Sequence, residues 1–262
     1  MRFWGSVILI ALIAASALAA PLITKYQPDA QVSPTSDRYL PPSSQHWFGT
    51  DQFGRDVFAR ALYGGRVSLF IAVCVVTCSI FIGTLYGAFA GFFGGRLDQV
   101  AMRFLDMLLA FPLVFLAVTC MALFGSGLLT LVLVLTLVSW MDVARLVRAE
   151  IHSLKQRDFV LKARSLGLST RRILLHHIIP NVAVTVVAIA VLRAADVILI
   201  ESALSFLGLG VQPPMASWGS IINDGKAVLS LAWWLTAFPG LAIILTIISL
   251  HVAGESLQIA KR

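Results

Sequence analysis

The sequence predicts an all-α integral membrane protein with six membrane-spanning helices, and three observations carry that prediction. The 262 residues are 58% hydrophobic and only 13% charged, with a mean hydropathy of +0.88. Long uncharged runs recur along the chain, and lysine and arginine fall unequally on the segments between them. A soluble domain carries about 25% charged residues. At half that share too little polar surface is left to cover a water-soluble globule, so lipid is the missing solvent.

A spanning helix needs ~20 apolar residues, because each adds ~1.5 Å against a ~30 Å hydrocarbon core. Phe3 to Ile23 is one such run and Val67 to Gly95 a second. From Met107 to Met141 the chain is uncharged and too long for one ordinary span. Gly125-Ser126-Gly127 divides it into two antiparallel helices. Val182 to Phe206 is the fifth run, interrupted by Arg193, Asp196 and Glu201, and Ala227 to Gly254 is the sixth. With the N-terminus cytoplasmic, the inner segments hold thirteen basic residues, the outer segments six, and Arg193 lies within a span. Both termini inside therefore satisfy the positive-inside tendency. The formal charge of +7 forms no continuous stripe, which argues against nucleic acid as a partner.

Four segments follow. Residues 1–23 are the first span, with a cleavable signal peptide as the rival reading, since Met1-Arg2, an apolar stretch and Ala17-Leu18-Ala19 fit that pattern too. Residues 24–66 form an external segment rich in proline. Within it Phe53, Val57, Phe58, Ala61 and Leu62 recur at helical spacing and predict a short interfacial helix over Phe53 to Tyr63. Residues 67–254 make a five-helix core that includes an inner loop at 148–181, and 255–262 are a cytoplasmic tail.

Ionisable residues inside spans cost ~2.5–3.5 kcal/mol each on insertion scales, so each calls for a reason. Arg193 and Asp196, three apart, are placed to pair along one helix. With Glu201 they are the candidates for a substrate path, and equally for ties within the bundle or to a partner. Asp106 and Asp142 stand near Arg103 and Arg145, and local ion pairs account for them. Cys74, Cys78 and Cys120 lie in apolar runs without further ligands and are expected to pack as small hydrophobes. The five histidines are scattered, and adjacent His176 and His177 point to different helix faces; no metal site is expected.

The inner loop is the most informative stretch. Phe159, Val160, Ala163 and Leu166 share one side of a helix expected to start near Gln156. Gly167 supplies the C-terminus, where positive φ costs little. Ser169 is a fitting N-cap for a second helix holding Ile173, Leu174, Ile178 and Ile179, which Pro180 is expected to close. An amphipathic basic hairpin of this kind suits docking on a protein, and it suits anionic lipid as well. Spacing does not separate the two.

The stretch Phe159-Val160-Leu161-Lys162-Ala163-Arg164-Ser165-Leu166-Gly167, followed by Ile178-Ile179-Pro180-Asn181, resembles the EAA loop of membrane subunits of binding-protein-dependent ABC importers. HWFGTDQFGRDVFARALYGGRVSL from His46 and ESALSFLGLGVQPPMASWG from Glu201 resemble the dipeptide, oligopeptide and nickel permease branch, and within it the C-type partner. The chain departs from the family at Leu161 and Lys162, where glutamate and alanine are usual. The resemblance implies a type I importer architecture with a coupling helix between the fourth and fifth spans. It implies Phe159, Val160, Ala163, Arg164 and Gly167 as ATPase-coupling residues. The implied partners are a second permease subunit, two cytoplasmic ATP-binding subunits and an extracytoplasmic binding protein in a bacterial inner membrane. No cofactor is expected. Di- and oligopeptides lead as the cargo it implies, with nickel complexes, antimicrobial peptides and other small solutes behind.

The sequence lacks a GxxxxGK[ST] phosphate loop, so ATP must be bound by another chain if it drives this one. HExxH and GxSxG are also absent, which leaves no motif for a membrane-embedded hydrolase. A self-sufficient secondary transporter or channel is the alternative function, and no inverted repeat supports it.

Overall fold

The computed structural model describes residues 2–31 and 37–261, and these are helical almost throughout. α1 (Arg2–Leu18) and the single turn α2 (Ala20–Ile23) precede an irregular segment. Then come α3 (Val57–Phe93), α4 (Gly95–Leu109), α5 (Leu113–Phe124), α6 (Leu128–Lys155) and α7 (Asp158–Ser165). The short α8 (Thr170–Ile173) leads through a π turn at Leu174–Ile178 into α9 (Ile179–Phe206). α10 (Trp218–Gly225) and α11 (Trp234–Lys261) complete the chain.

Four of these elements are long and apolar enough to cross a bilayer: Val57–Phe93, Leu128–Lys155, His176–Phe206 and Trp234–Ile259. The expected third span takes a different form. α5 has 12 residues, about 18 Å of helix, which falls short of a ~30 Å core. It joins α4 at a bend of 75°, as a broken span or a re-entrant loop. Pro112 sets the break, because it lacks an N–H and disfavours helical geometry in Phe111 before it. Counting that pair as one span gives five, with α1 as a further, shorter apolar helix. The turn at Gly125-Ser126-Gly127 is present, with Gly125 at φ +85°.

The interfacial helix expected over Phe53–Tyr63 is not a separate element. α3 starts at Val57 and continues unbroken for 37 residues. Gly64 and Gly65 do not interrupt it, because their missing side chains admit α10: a Cβ on Gly65 would stand 2.9 Å from the Trp218 ring. Asp56 caps the helix, accepting from the Ala59 N–H at 2.7 Å, and is itself held by His46 Nδ1 at 2.8 Å.

The main seam of the bundle joins α3 to α6. Gly83, Gly87 and Gly91 recur every fourth residue and so lie on one face of α3. A Cβ on Gly83 would meet the Trp140 carbonyl oxygen at 2.7 Å, one on Gly87 would collide with the Ala144 carbonyl, and one on Gly91 would reach the Arg148 carbonyl at 3.0 Å. Backbone thus packs on backbone, as small residues permit in membrane helices. One buried cluster around Ile71, Leu131, Leu135, Ile198 and Leu204 fills the half of the bundle nearest α10, and another around Val147, Ile151, Val160 and Ile178 fills the half nearest α7. Cys78, expected in the core, is exposed on α3, while Cys74 and Cys120 are half-buried.

The seam generates a stability prediction. Gly87→Val forces α3 and α6 apart and costs about 3 kcal/mol, near the upper end for overpacking. Thermal unfolding in mild detergent will show a clear drop in Tm. Gly240→Ala, where a Cβ meets nothing within 4 Å, will show none.

Candidate functional site

Two residues separate α6 from the hairpin over 158–178. α7 spans Asp158–Ser165, and Gly167 follows at φ +76°. The Leu168 N–H reaches back to the Ala163 carbonyl at 3.2 Å and that of Leu166 to Lys162 at 3.0 Å, a glycine-terminated helix end. Ser169 caps the next turn: its Oγ accepts from the Arg172 N–H at 3.4 Å and its carbonyl from Ile173 at 3.0 Å.

Pro180 does not close that second helix. α8 widens into the π turn, in which the Ile179 N–H bonds to the Leu174 carbonyl, and then runs on as α9. The widened turn is the physical reason. Proline in a regular helix lacks a donor and its ring crowds the carbonyl four residues back; a π turn changes that register. Asn181 adds a side-chain bond from Nδ2 to the His177 carbonyl at 2.7 Å.

The expected single stripe on α7 is split between two faces. Val160 and Ala163 are buried beside Val147, Ile151, Leu154, Ile173 and Ile178, so they hold the hairpin to α6 and α9 and cannot meet a partner directly. Leu166, past the last full turn, is carried to the outside and is 81% exposed. Leu161 is about half exposed and Phe159 is 38% exposed, its ring 6.4 Å from that of His177. The departure from the family motif at Leu161-Lys162 therefore lies on the exposed face. The side chain of Arg164 lies outside the described residues. The outward apolar set is Phe159, Leu161 and Leu166. Leu161 was legible in the sequence only as a motif departure, since the two-turn length of α7 leaves its facing to tertiary contacts.

The end of α6 from which the hairpin departs is tied to α3 and α4 by charge. Lys155 Nζ donates to the carbonyls of Gly91 at 3.2 Å and Phe92 at 2.8 Å, at the C-terminal end of α3. Arg148 Nε donates to Asp98 Oδ1 at 2.6 Å, and Arg145 pairs with Asp106 at 2.6 Å. The local pairs expected for Asp106 and Asp142 are thus replaced by pairs between helices. α6 lies between α4 and α9, and its acidic and basic side chains find partners across those contacts.

Asp142 belongs to the charged group on α9. Arg193 Nη1 lies 3.0 Å from Asp142 and 3.3 Å from Asp196, so the expected pair along α9 is present and gains a third member from α6. Arg193 and Asp196 line a cleft of about 600 Å³ between α6, α9 and α11, with Glu150, His251 and Glu255.

Glu201 is elsewhere. It is fully buried, at 0% exposure, and accepts from Ser205 Oγ at 2.8 Å, Ser68 Oγ at 3.1 Å and Ser202 Oγ at 3.4 Å. The same hydroxyls accept onward bonds: Ser68 from the Trp218 N–H and Ser205 from the Val211 N–H, both at 3.3 Å. One carboxylate therefore joins α3, α9, the 207–217 loop and the start of α10. It is a structural tie, and it lines none of the clefts described here.

At the end of the bundle away from the hairpin, residues 37–56 fold tightly over it. Buried Asp51 accepts from the Phe53 and Arg55 N–H groups at 2.8 and 3.0 Å, from Arg55 Nε at 2.6 Å, and from Arg60. Asp224 of α10 meets Arg60 at 3.0 Å and Arg55 at 3.6 Å, and Trp234 Nε1 donates to the Thr50 carbonyl at 3.0 Å. By sequence this stretch is irregular and rich in proline. The acidic and basic residues at 51, 55 and 60 were its only signal, and Asp224 is far away in the chain.

Comparison with known proteins agrees with this architecture. The model of the family described as "Binding-protein-dependent transport system inner membrane component" matches residues 83–258. The dipeptide transport system permease protein DppC of Bacillus subtilis is 41% identical over 224 residues, covering 85% of this chain and 70% of that one. The oligopeptide transport system permease protein OppC of the same organism is 37% identical over 251 residues, covering 96% and 82%. OppC of Haemophilus influenzae is 40% identical over 226 residues, covering 86% and 71%. Among solved structures, the inward-facing MetNI methionine ABC transporter aligns with a TM-score of 0.65 at 14% identity, covering 78% of this chain and 97% of that one. An amino acid ABC transporter structure gives 0.56 at 19% identity, covering 78% and 94%. The fold is that of an ABC importer permease, and the chain belongs to the family of inner membrane components of binding-protein-dependent transport systems.

Proposed function

We propose that this chain forms half of the path by which an ATP-driven importer moves peptides inward, together with a second, similar permease subunit. One of two separate ATPases docks on the 158–178 hairpin, the other on the second permease, and an extracytoplasmic binding protein delivers the peptide. Both termini then lie in the cytoplasm, and α1, which packs its buried Ala17 near Gly65 of α3, stays as part of the bundle. The peptide cargo rests on the dipeptide and oligopeptide permease proteins to which the chain is similar.

The observation that carries the reading is the exposed apolar edge of the hairpin. Leu166, Leu161 and Phe159 project from a helix whose opposite face, Val160 and Ala163, is locked into α6 and α9. A surface of this shape favours a groove on another protein, since exposed apolar residues on a buried anchor mark a binding edge. Gly167 permits the turn behind it. Force applied there passes through packed side chains to two long helices, and Arg193 and Asp196 line a cleft between those helices. We assign these two residues to the path and leave Glu201 out of it.

Co-purification in mild detergent tests the whole assembly. The chain should come with a second permease and two ATPases; recovery alone, with transport intact, would favour a self-sufficient transporter and sink the proposal. Leu161→Glu combined with Leu166→Glu should leave insertion unchanged and cut the recovered ATPase about tenfold, as for loss of a buried apolar anchor. Gly167→Leu places a side chain at positive φ, at a cost of about 1–2 kcal/mol. The variant should insert normally but uncouple peptide uptake from ATP hydrolysis, and normal uptake would refute the docking role. Arg193→Met leaves Asp142 and Asp196 without their shared partner. Peptide uptake into proteoliposomes should fall while ATPase recovery holds, and Arg193→Lys should restore part of the uptake.

A further inference from the structure

α4 buries Asp98 and Leu105 and leaves Arg96, Val100 and Arg103 exposed on its opposite side. Their spacings of four and three residues put these three in one row. Leu97, Phe104 and Met107 beside them are exposed as well, and Val100 is 69% exposed. Apolar side chains in such number do not suit water, and two arginines do not suit a hydrocarbon core. The boundary between the two suits both. The charge of the row is also uncompensated. The acidic residues of α4, Asp98 and Asp106, are taken by Arg148 and Arg145 of α6. Among the described residues Arg96 and Arg103 make no ion pair.

A cleft of about 470 Å³ opens beside the row, between α3 and α4. Arg96 lines it together with Tyr86, Phe89, Leu97, Val100 and Ala101, so one cation stands over walls that are otherwise apolar or aromatic. Tyr86 Oη donates to the Ala101 carbonyl at 2.8 Å, which braces α4 on α3 and leaves the ring to the cleft. From the cleft an exposed row of Phe89, Leu85 and Phe81 leads along α3, four residues apart. Eight residues of helix make ~12 Å, within the ~15 Å that one leaflet contributes to a ~30 Å core. The occupant this surface fits carries an anion at one end and a hydrocarbon chain of leaflet length at the other.

We propose that the cleft between α3 and α4 holds an anionic phospholipid, its phosphate at Arg96 and Arg103 and an acyl chain along Phe89, Leu85 and Phe81. A headgroup without a cation of its own is selected, because an ammonium there would face two unpaired guanidiniums. The importer reading enters only to name the leaflet, which is the cytoplasmic one if the hairpin end is cytoplasmic. The lipid fixes α4 at the membrane surface, and α4 is in turn held to α6 through Asp98 and Asp106. It thereby braces the helix from which the hairpin departs.

The test uses the full chain in nanodiscs of phosphatidylcholine with a minor share of phosphatidylglycerol. A photo-crosslinking side chain replaces Val100 or, separately, Leu133, which is exposed near the start of α6. Mass spectrometry of the captured lipid reads the ratio of the two. At Val100 phosphatidylglycerol should exceed its bulk share about tenfold, as for two basic groups at an anionic surface. At Leu133 it should equal that share. Arg96→Gln with Arg103→Gln should return the Val100 ratio to the bulk value, and Arg96→Lys with Arg103→Lys should keep most of the enrichment. Excess inorganic phosphate should leave the ratio unchanged, since the acyl chain holds the lipid. Bulk share at Val100, equal enrichment at Leu133, or displacement by phosphate overturns the proposal. Unchanged enrichment in a folded double-glutamine variant overturns it too. In the assembled importer the side chain at position 100 should again capture lipid; capture of the second permease or of another copy of this chain assigns the face to that protein and also overturns it. Failure of the importer reading shows differently, as absence of the ATPases on co-purification whatever the lipid ratio.

Discussion

Three glycines one turn apart let the backbones of α3 and α6 approach more closely than side chains would permit. In lipid this contact has no hydrophobic drive behind it, because acyl chains are as apolar as leucine; close packing itself must hold the helices. Most of the architecture at the hairpin end depends on it. With α6 pressed on α3, Lys155 reaches the free carbonyls at the end of α3, and Arg148 and Arg145 reach α4. Asp142 reaches Arg193 on α9. Each of these charged groups sits where burial would be costly, and each is met by a group from another helix.

The two ends of the bundle are held by different means. The hairpin end relies on apolar burial: Val160 and Ala163 of α7 enter the same cluster as Ile151 of α6 and Val182 of α9. The α10 end relies on polar satisfaction. Asp51 gathers two backbone N–H groups and two arginines, and Glu201 gathers three serine hydroxyls. A carboxylate out of water is tolerable only when its acceptor sites are filled. Glu201 draws Ser68 from a segment distant in sequence, and Asp51 is filled by close neighbours, of which Arg60 goes on to Asp224 of α10. The 37–56 cap thereby becomes part of the fold instead of a loose connection between spans.

This division has a mechanical consequence. Only two residues separate α6 from α7, and α8 passes into α9 without leaving helical geometry. No slack linker lies between the exposed edge of the hairpin and the charged cleft formed by α6, α9 and α11. Movement imposed at Leu166 is carried by packed helices, a continuous physical route of the sort that coupling between distant sites requires. At the far end the Glu201 tie connects α9 to α3 and α10.

Helix type, membrane residence and the location of the hairpin could all be read from the chain without coordinates, because each depends on local properties. Apolar run length sets what lipid will accept, positive φ favours glycine at 167, and Ser169 caps its own helix. The family motifs could be read on the same basis. Facing and partnership could not. Val160 and Leu166 have equal claim to a helical stripe by spacing, and only the contact with α6 and α9 turns one inward and the other out. Asp142 lies three residues from Arg145 in sequence yet pairs with Arg193. By sequence Glu201 is a candidate for a path or for a tie within the bundle, and only the fold brings serines from two helices around it. The break at Pro112 and the unbroken run through Pro180 make the same point: whether proline ends a helix depends on the neighbours that can absorb its missing hydrogen bond. Local chemistry is written residue by residue, but the pairing of buried charge and the choice of buried face depend on which distant segments come within 3 Å or so, a distance set by packing.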